Sequence, residues 1–132
     1  MSEFDSNSFN VNLSNFNGSI EVLLDLAKAQ KVDLESISIT KLADQFHEFI
    51  TSEKNLNLEA ASEYLLMATW LTYLKSKLLL PESAEEEFKA LEVAEQLKLQ
   101  LKKLELIRLL SEQMLKRKRL GKDIFVRGIK GN

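Results

Sequence analysis

The residues best suited to acid–base chemistry in this sequence are its single histidine and an acidic neighbour. His47 follows Asp44 by three positions in a segment with helical periodicity, so the two side chains could orient one another. Acid–base catalysis would also need a nucleophile or a metal ion within reach. The other positions on that side of the helix supply neither. A histidine on a helix surface is therefore the favoured interpretation.

Metal, thiol and phosphate chemistry have equally little support. Glu85, Glu86 and Glu87 are consecutive, whereas a calcium loop needs alternating acidic ligands and a glycine turn. The chain has no cysteine, which excludes zinc–thiolate sites, disulfides and cysteine nucleophiles. Its four glycines do not cluster into a phosphate-binding loop. We therefore expect no enzymatic activity, no metal and no cofactor.

Charge is distributed unevenly along the 132 residues. Residues 1–97 contain 7 Lys/Arg and 17 Asp/Glu, a net charge of −10, whereas residues 98–132 contain 11 and 3, a net charge of +8. The basic end includes a cluster that could contact DNA phosphates: Lys116, Arg117, Lys118 and Arg119. A solvated basic helix end is the favoured alternative for this cluster, because cations suit a helix C-terminus.

The composition predicts long helices in a cytoplasmic protein. Four glycines and one proline leave few breaks, which favours helices over many short strands. The acidic, polar start lacks the basic and apolar regions of a signal peptide. No apolar run approaches the roughly 18 residues of a membrane span.

Apolar spacing predicts an all-α fold, namely a small N-terminal three-helix bundle with a short extended arm, followed by a long fourth helix. The arm is the alternating segment 9–13. The predicted helices run from Ile20 to Ala29 with Ser19 as cap, from Ile39 with Ser38 as cap, from the cap Asn57 to Pro81, and from about Glu87 to Arg119 with Gly121 closing the helix. The predicted units are a helical domain, 1–82, a long-helix region, 83–120, and a flexible tail, 121–132.

The third predicted helix is apolar on two sides. One side is a core face formed by Tyr64, Met67, Ala68, Leu71, Leu74 and Leu78. The first two helices are predicted to complete this core with Leu23, Leu24, Leu42, Phe46 and Phe49. The nearly opposite side carries Leu66, Trp70, Tyr73, Lys77 and Leu80. A helix of this kind must be covered on both sides. Either the fourth helix covers the second side, or another protein does, because aromatic residues flanked by charge are typical of interfaces.

The fourth predicted helix is expected to be less anchored than the three-helix head. Its apolar residues are expected along one side: Phe88, Leu91, Leu97, Leu101, Leu104, Ile107 and Met114. The rest of the segment is highly charged. Such a narrow stripe is typical of a segment that awaits a partner.

Four segments resemble one protein family, the bacterial kleisins of the ScpA type. The opening segment 16–26 and the segment 38–46 resemble the first two helices of that family. The most specific match is the segment Glu63 to Pro81, EYLLMATWLTYLKSKLLLP, which resembles the third helix of the family almost position for position. Segment 121–128 resembles the region after the family's long helix. Ser19 stands where the family usually has proline.

The resemblance implies a non-enzymatic subunit of the bacterial SMC condensin complex, with a role in chromosome condensation and segregation. The helical head would bind the SMC coiled-coil neck through Leu66, Trp70, Tyr73, Lys77 and Leu80. The middle region would bind the ScpB dimer through Leu97, Leu101, Leu104, Ile107 and Met114. The complex would lie in the cytoplasm at the nucleoid and meet DNA indirectly. The family's C-terminal winged-helix domain, which binds the other SMC head, is absent from these 132 residues.

Two other functions compete with this interpretation. The basic end would suit a helical DNA-binding regulator, although the charge of −10 on residues 1–97 would repel phosphate. A generic helical adaptor would need only the two apolar sides of the third helix. The three functions differ in the partner that they require, namely an SMC neck, DNA alone or an unrelated protein.

Overall fold

The computed structural model describes residues 17–52 and 58–128, and it forms an all-α fold as predicted. Four α-helices follow one another: α1, Asn17–Ala29; α2, Ile39–Ser52; α3, Leu58–Leu79; and α4, Ala84–Gly128. A short 3₁₀ helix, Leu34–Ser36, lies between α1 and α2. The predicted arm at 9–13 and the predicted cap Asn57 lie outside the described residues.

The prediction that Ser19 caps α1 is wrong. The helix already includes Asn17, so Ser19 is an interior helical residue with no exposed surface. Its hydroxyl has no hydrogen-bond partner among the described residues. The neighbouring Gly18 lies close to α3, since a Cβ added there would sit 3.7 Å from Glu63 Oε1 and 4.0 Å from Tyr64 Cε1. Small side chains at 18 and 19 therefore let α1 approach α3 closely.

The connector between α1 and α2 is closed by side-chain hydrogen bonds. Lys31 ends α1 in the left-handed region with φ 60°. Gln30 Oε1 accepts a bond from Ser38 N at 3.0 Å, and Gln30 Nε2 donates to Ser38 O at 3.1 Å. Ser38 Oγ in turn accepts a bond from Lys41 N at 3.1 Å, which confirms Ser38 as the cap of α2.

The core combines all four helices and the 3₁₀ helix. As predicted, Leu23, Leu24, Leu42, Phe46, Met67, Leu71 and Leu74 are buried, and Phe49, Tyr64, Ala68 and Leu78 pack against them half-buried. Phe46, Phe49 and Tyr64 form an aromatic cluster with ring centroids 5.9–6.2 Å apart. The core also contains residues that were not predicted: Leu34, Ile37, Trp70, Ala90, Val93 and Ala94.

The long helix α4 begins and ends at other residues than predicted. It begins at Ala84, where Ser83 Oγ accepts a bond from Glu86 N at 3.1 Å and Glu86 Oε1 accepts one from Glu82 N. This reciprocal arrangement resembles a capping box, and it explains why the segment after Pro81 returns to a helix so soon. The predicted end at Gly121 is wrong, because α4 continues to Gly128. One glycine costs a helix only about 1 kcal/mol, so it need not end one.

The buried side of α4 agrees with the predicted stripe only in part, at Leu97, Leu101 and Leu104. Ala90, Val93, Ala94, Leu97 and Leu101 are buried, and Leu104 is half-buried. Phe88 and Leu91, which were assigned to the same side, are 67% and 52% exposed. The small residues Ala90 and Ala94 lie on the buried side instead, and a stripe drawn from large apolar residues alone leaves them out.

Candidate partner-binding surface

Trp70 lies in the core and not on the surface. It is 6% exposed and belongs to one continuous buried cluster with Ala90, Val93 and Leu97 of α4. The prediction that Trp70 forms the centre of an exposed interface is therefore wrong for this conformation. Trp70 is buried because α4 folds back along α3 and covers this part of the second apolar side of α3.

Closer to the end of α3, Lys77 is also covered by α4. Its ammonium lies 2.9 Å from Glu86 Oε1, and only 13% of its side chain is exposed. The same ammonium lies 5.4 Å from the centroid of the Tyr73 ring. Lys77 thus contributes to the joint between α3 and α4, whereas Tyr73 is half-buried at its edge.

A different side of α3 is exposed, and we call it the heptad face. It consists of three series, each with a spacing of seven residues: Ser62, Thr69, Ser76; Leu65, Thr72, Leu79; and Leu66, Tyr73, Leu80. Every member except the half-buried Tyr73 is exposed. The four leucines are 56%, 62%, 58% and 78% exposed in chain order. Of the predicted SMC-binding residues, Leu66, Tyr73 and Leu80 belong to this face.

The heptad face carries no charged residue over its length from 62 to 80, although 29% of the chain is charged. The two lysines of α3 lie beside this face, where Lys75 is paired with Asp44 and Lys77 with Glu86. At 1.5 Å per residue the face is about 27 Å long. A continuous exposed surface with leucines and without charge is typical of an interaction site.

The spacing of the heptad face suits a coiled-coil partner. Leucines along both edges form ridges, and the small Ser62, Thr69 and Ser76 between them leave room for a neighbouring helix. A repeat of seven residues keeps such contacts aligned with a supercoiled helix over several turns. A helical wheel with 100° per residue hides this repeat, because it groups Leu66 with Trp70. The heptad repeat itself could have been found in the sequence.

The second half of α4 provides another exposed surface. The head holds α4 through apolar contacts as far as Leu104, followed by ion pairs between Lys28 and Glu105 at 3.4 Å and between Arg108 and Asp25 at 2.9 Å. All side chains from 109 to 117 are exposed. The helix therefore extends beyond the head from about Leu109.

The predicted ScpB-binding residues divide at this boundary. Leu97 and Leu101 have no exposed surface and Leu104 is half-buried, so their assignment to a partner surface is corrected. Ile107 and Met114 are 57% and 68% exposed. Lys116 and Arg117 of the basic cluster are exposed as well, and the side chains of Lys118 and Arg119 lie outside the described residues.

An ion pair also fastens the connector to α4. Lys102 Nζ donates a hydrogen bond to Glu35 Oε1, and Lys98 Nζ approaches Glu35 O at 3.4 Å. The hydrogen bond and the positive charge of Lys102 hold the pKa of Glu35 below its ordinary value. Both side chains are solvent-exposed, so this ion pair contributes little to the free energy of unfolding. Its main effect is to orient the connector against α4.

The described part of the chain offers little that could perform chemistry. His47 is exposed, and Asp44 pairs with Lys75 instead of the imidazole. Within residues 17–52 and 58–128 there is no group of three or more metal-ligating side chains. The helices of these ranges include none that is long and apolar enough to cross a membrane.

The described residues form an all-α bundle with a charge-free heptad face and an extended helix. The family model for segregation and condensation protein ScpA matches residues 26–125, and the chain belongs to this family. Segregation and condensation protein A of Mycoplasma mobile is 37% identical over 123 residues, which cover 92% of this chain and 49% of the relative. The protein of the same name from Myxococcus xanthus is 33% identical over 135 residues, covering 92% and 46%.

Shorter matches agree with this family. Segregation and condensation protein A of Clostridium acetobutylicum is 38% identical over 80 residues, which cover 61% of this chain and 32% of the relative. The chain spans about half the length of the first two relatives. No solved structure matches it.

Proposed function

We propose that this chain is the neck-binding part of a non-enzymatic kleisin subunit, which docks on the coiled coil of an SMC ATPase in the cytoplasm at the nucleoid. The observation that carries this proposal is the heptad face of α3. A coiled-coil neck presents helices whose own contacts repeat every seven residues, so α3 can lie beside it as an additional helix. The absence of charge on this face keeps the contact free of unpaired buried ions.

The contact residues follow from exposure. Leu65, Leu66, Leu79 and Leu80 supply most of the apolar surface, and Tyr73 completes it from the edge. Trp70 and Lys77 contribute indirectly, since they join α3 to α4 and thereby hold the heptad face in place. The proposed interface thus keeps Leu66, Tyr73 and Leu80 from the sequence prediction and replaces the other two residues with leucines.

A binding titration with an SMC fragment that contains the ATPase head and the adjoining coiled-coil neck tests the interface. Leu66→Glu introduces a charge at the centre of a desolvated contact, and we expect affinity to fall by at least about 30-fold, as at interface hot spots. Leu91→Glu is a matched control, because Leu91 is 52% exposed but lies on α4. Unchanged neck binding by Leu66→Glu would remove the heptad face from the interface.

The exposed half of α4 is the proposed site for ScpB, with Ile107 and Met114 among its contacts. Both side chains are exposed, and ion pairs with Asp25 and Lys28, instead of buried apolar contacts, tie this part of the helix to the head. Ile107→Glu combined with Met114→Glu should abolish capture by a ScpB dimer and leave neck binding intact. Loss of both interactions together would indicate misfolding instead.

The alternative function, a DNA-binding regulator, requires that the chain bind DNA by itself. The exposed Lys116 and Arg117 would then bind DNA in the absence of SMC, with strong salt dependence. We expect no such binding by the chain alone at physiological salt, because the charge of −10 on residues 1–97 opposes it. A salt-sensitive gel shift without SMC, lost on Lys116→Ala and Arg117→Ala, would favour the regulator.

A further inference from the structure

A groove lies between the connector and α4, and leucines form its apolar wall. It has a volume of about 540 Å³, and the wall consists of Leu34 of the 3₁₀ helix and of Leu99, Leu106 and Leu109 of α4. The three leucines of α4 are 49%, 56% and 52% exposed. An apolar cavity of roughly 150 Å³ accommodates a benzene ring, so this groove has room for about three apolar side chains.

The groove lies on a side of α4 that the other proposed contacts do not use. On a helical projection with 100° per residue, Leu106 and Leu109 are turned by about 80–160° from Ile107 and Met114. A segment in the groove can therefore lie beside α4 while the proposed ScpB contacts stay accessible.

The charged residues of the groove walls are of both signs: Asp33, Glu35, Lys102, Lys103 and Glu105. Lys102 Nζ donates a hydrogen bond to Glu35 Oε1, and Glu105 is paired with Lys28 of α1. The walls thus balance their own charges. The groove therefore favours an uncharged occupant, because an ionised side chain would lose its hydration there without gaining a partner.

The N-terminal segment of this chain contains an uncharged stretch of matching length. Residues 6–16, SNSFNVNLSNF, include no charged residue, and they lie outside the described residues. Phe9, Val11 and Leu13 alternate with polar residues, so an extended chain presents all three on one side, over about 13 Å. The wall of the groove from 99 to 109 is about 15 Å long at 1.5 Å per residue.

The start of α1 lies close enough for this segment to reach the groove. Arg108 Nη2 donates a hydrogen bond to Glu21 O at 3.5 Å, and Arg108 Nη1 is paired with Asp25. Asn17 precedes Glu21 by about one helical turn, so α1 begins near the end of the groove that Leu109 forms. Residues 9–16 can span about 26–29 Å when extended, which exceeds the length of the groove.

We propose that residues 9–13 lie in this groove as an extended arm, with Phe9, Val11 and Leu13 packed against the leucines of α4. The direction follows from the start of α1, so that Leu13 lies near Leu109 and Phe9 lies near Leu99. The arm covers the exposed leucines and holds the connector against α4, where an exposed ion pair alone contributes little. This contact is internal to the chain and does not depend on SMC or ScpB.

Engineered disulfides test the position and direction of the arm, because the chain has no cysteine of its own. Phe9→Cys should form an intramolecular disulfide with Leu99→Cys at least about tenfold faster than with Leu109→Cys, since the second pair would be about 13 Å apart. Leu13→Cys should show the reverse preference, for Leu109→Cys over Leu99→Cys. Equal rates within these comparisons would overturn the docked arm, and exchanged preferences would overturn its direction.

Thiol labelling of a Leu106→Cys variant tests independently whether the apolar side of the arm covers the groove. One chain carries three charges on that side: Phe9→Asp, Val11→Asp and Leu13→Asp. These charges should release the arm and raise the labelling rate at position 106 by at least about fivefold, because the rate reports the population of the open form.

The matched control places the same charges on the polar side of the arm: Asn10→Asp, Asn12→Asp and Ser14→Asp. These side chains point to solvent when the arm is docked, so the labelling rate should stay within about twofold of that in the unmodified arm. Equal rates in the two charged chains would overturn the proposal. If the thiol at position 106 is protected only when another protein is added, that protein occupies the groove and the docked arm is wrong.

Discussion

Trp70 is the residue whose position differs most from expectation, and its burial leads to a prediction about stability. It is 6% exposed at the joint between α3 and α4. Trp70→Ala should therefore lower the free energy of unfolding by about 3–5 kcal/mol, since the neighbouring side chains cannot fill the space. Urea denaturation followed by circular dichroism measures this change. Leu66→Ala, on an exposed side of the same helix, should change it by less than about 0.5 kcal/mol.

The result for Trp70 also separates the two interpretations of the second side of α3. A stable Trp70→Ala variant with weakened neck binding would place the indole in the interface and contradict the buried position. A destabilised variant that binds the neck normally when folded would assign Trp70 to the core.

Glu35 gives a prediction about pH at the same scale. Lys102 lowers the pKa of this carboxylate, so the contribution of the pair is present above the ordinary pKa of glutamate and is lost as the pH falls through the lowered value. An NMR titration of the Glu35 carboxyl carbon should show its pKa rising towards the ordinary value in Lys102→Met. An identical pKa in wild type and variant would show that Lys102 is not its cause.

At the scale of elements, α4 consists of two parts with different anchoring. Its first part contributes five buried residues from Ala90 to Leu101, whereas every side chain from 109 to 117 is exposed. We expect amide hydrogen exchange to be slow at 90–104, comparable to 64–78 of α3, and to accelerate beyond Arg108. Uniform protection through residue 117 would contradict this boundary.

The stability of the whole molecule depends on the first part of α4. The sequence analysis had placed this part in a separate long-helix region, 83–120. A chain ending at Arg108 should melt within a few degrees of the full chain. A chain ending at Ser83 would expose Trp70 and lose five buried residues of α4, each worth roughly 1–3 kcal/mol. Since total stability is about 5–15 kcal/mol, we expect loss of a cooperative melting transition. A cooperative melt of the shorter chain would show that the three-helix head folds alone.

The sequence by itself determined the helices, the Ser38 cap and the core side of α3, because these depend on the order of neighbouring residues along one helix. Met67, Leu71 and Leu74 recur at helical spacing and are buried as predicted. The family resemblance likewise rested on local segments. Even the heptad face is present in the sequence as a repeat of seven, although a wheel of 100° per residue hides it.

Only the tertiary structure decided which sides of the helices are covered. Periodicity shows that α3 is apolar on two sides, but it contains no information about the direction from which another helix approaches. Ala90 and Ala94 attract little notice in a hydrophobic pattern, yet their small size allows α4 to lie against α3 and to bury Trp70. Ser19 became a packing residue for the same reason, since close approach of α1 and α3 is a property of two helices together and not of either sequence alone.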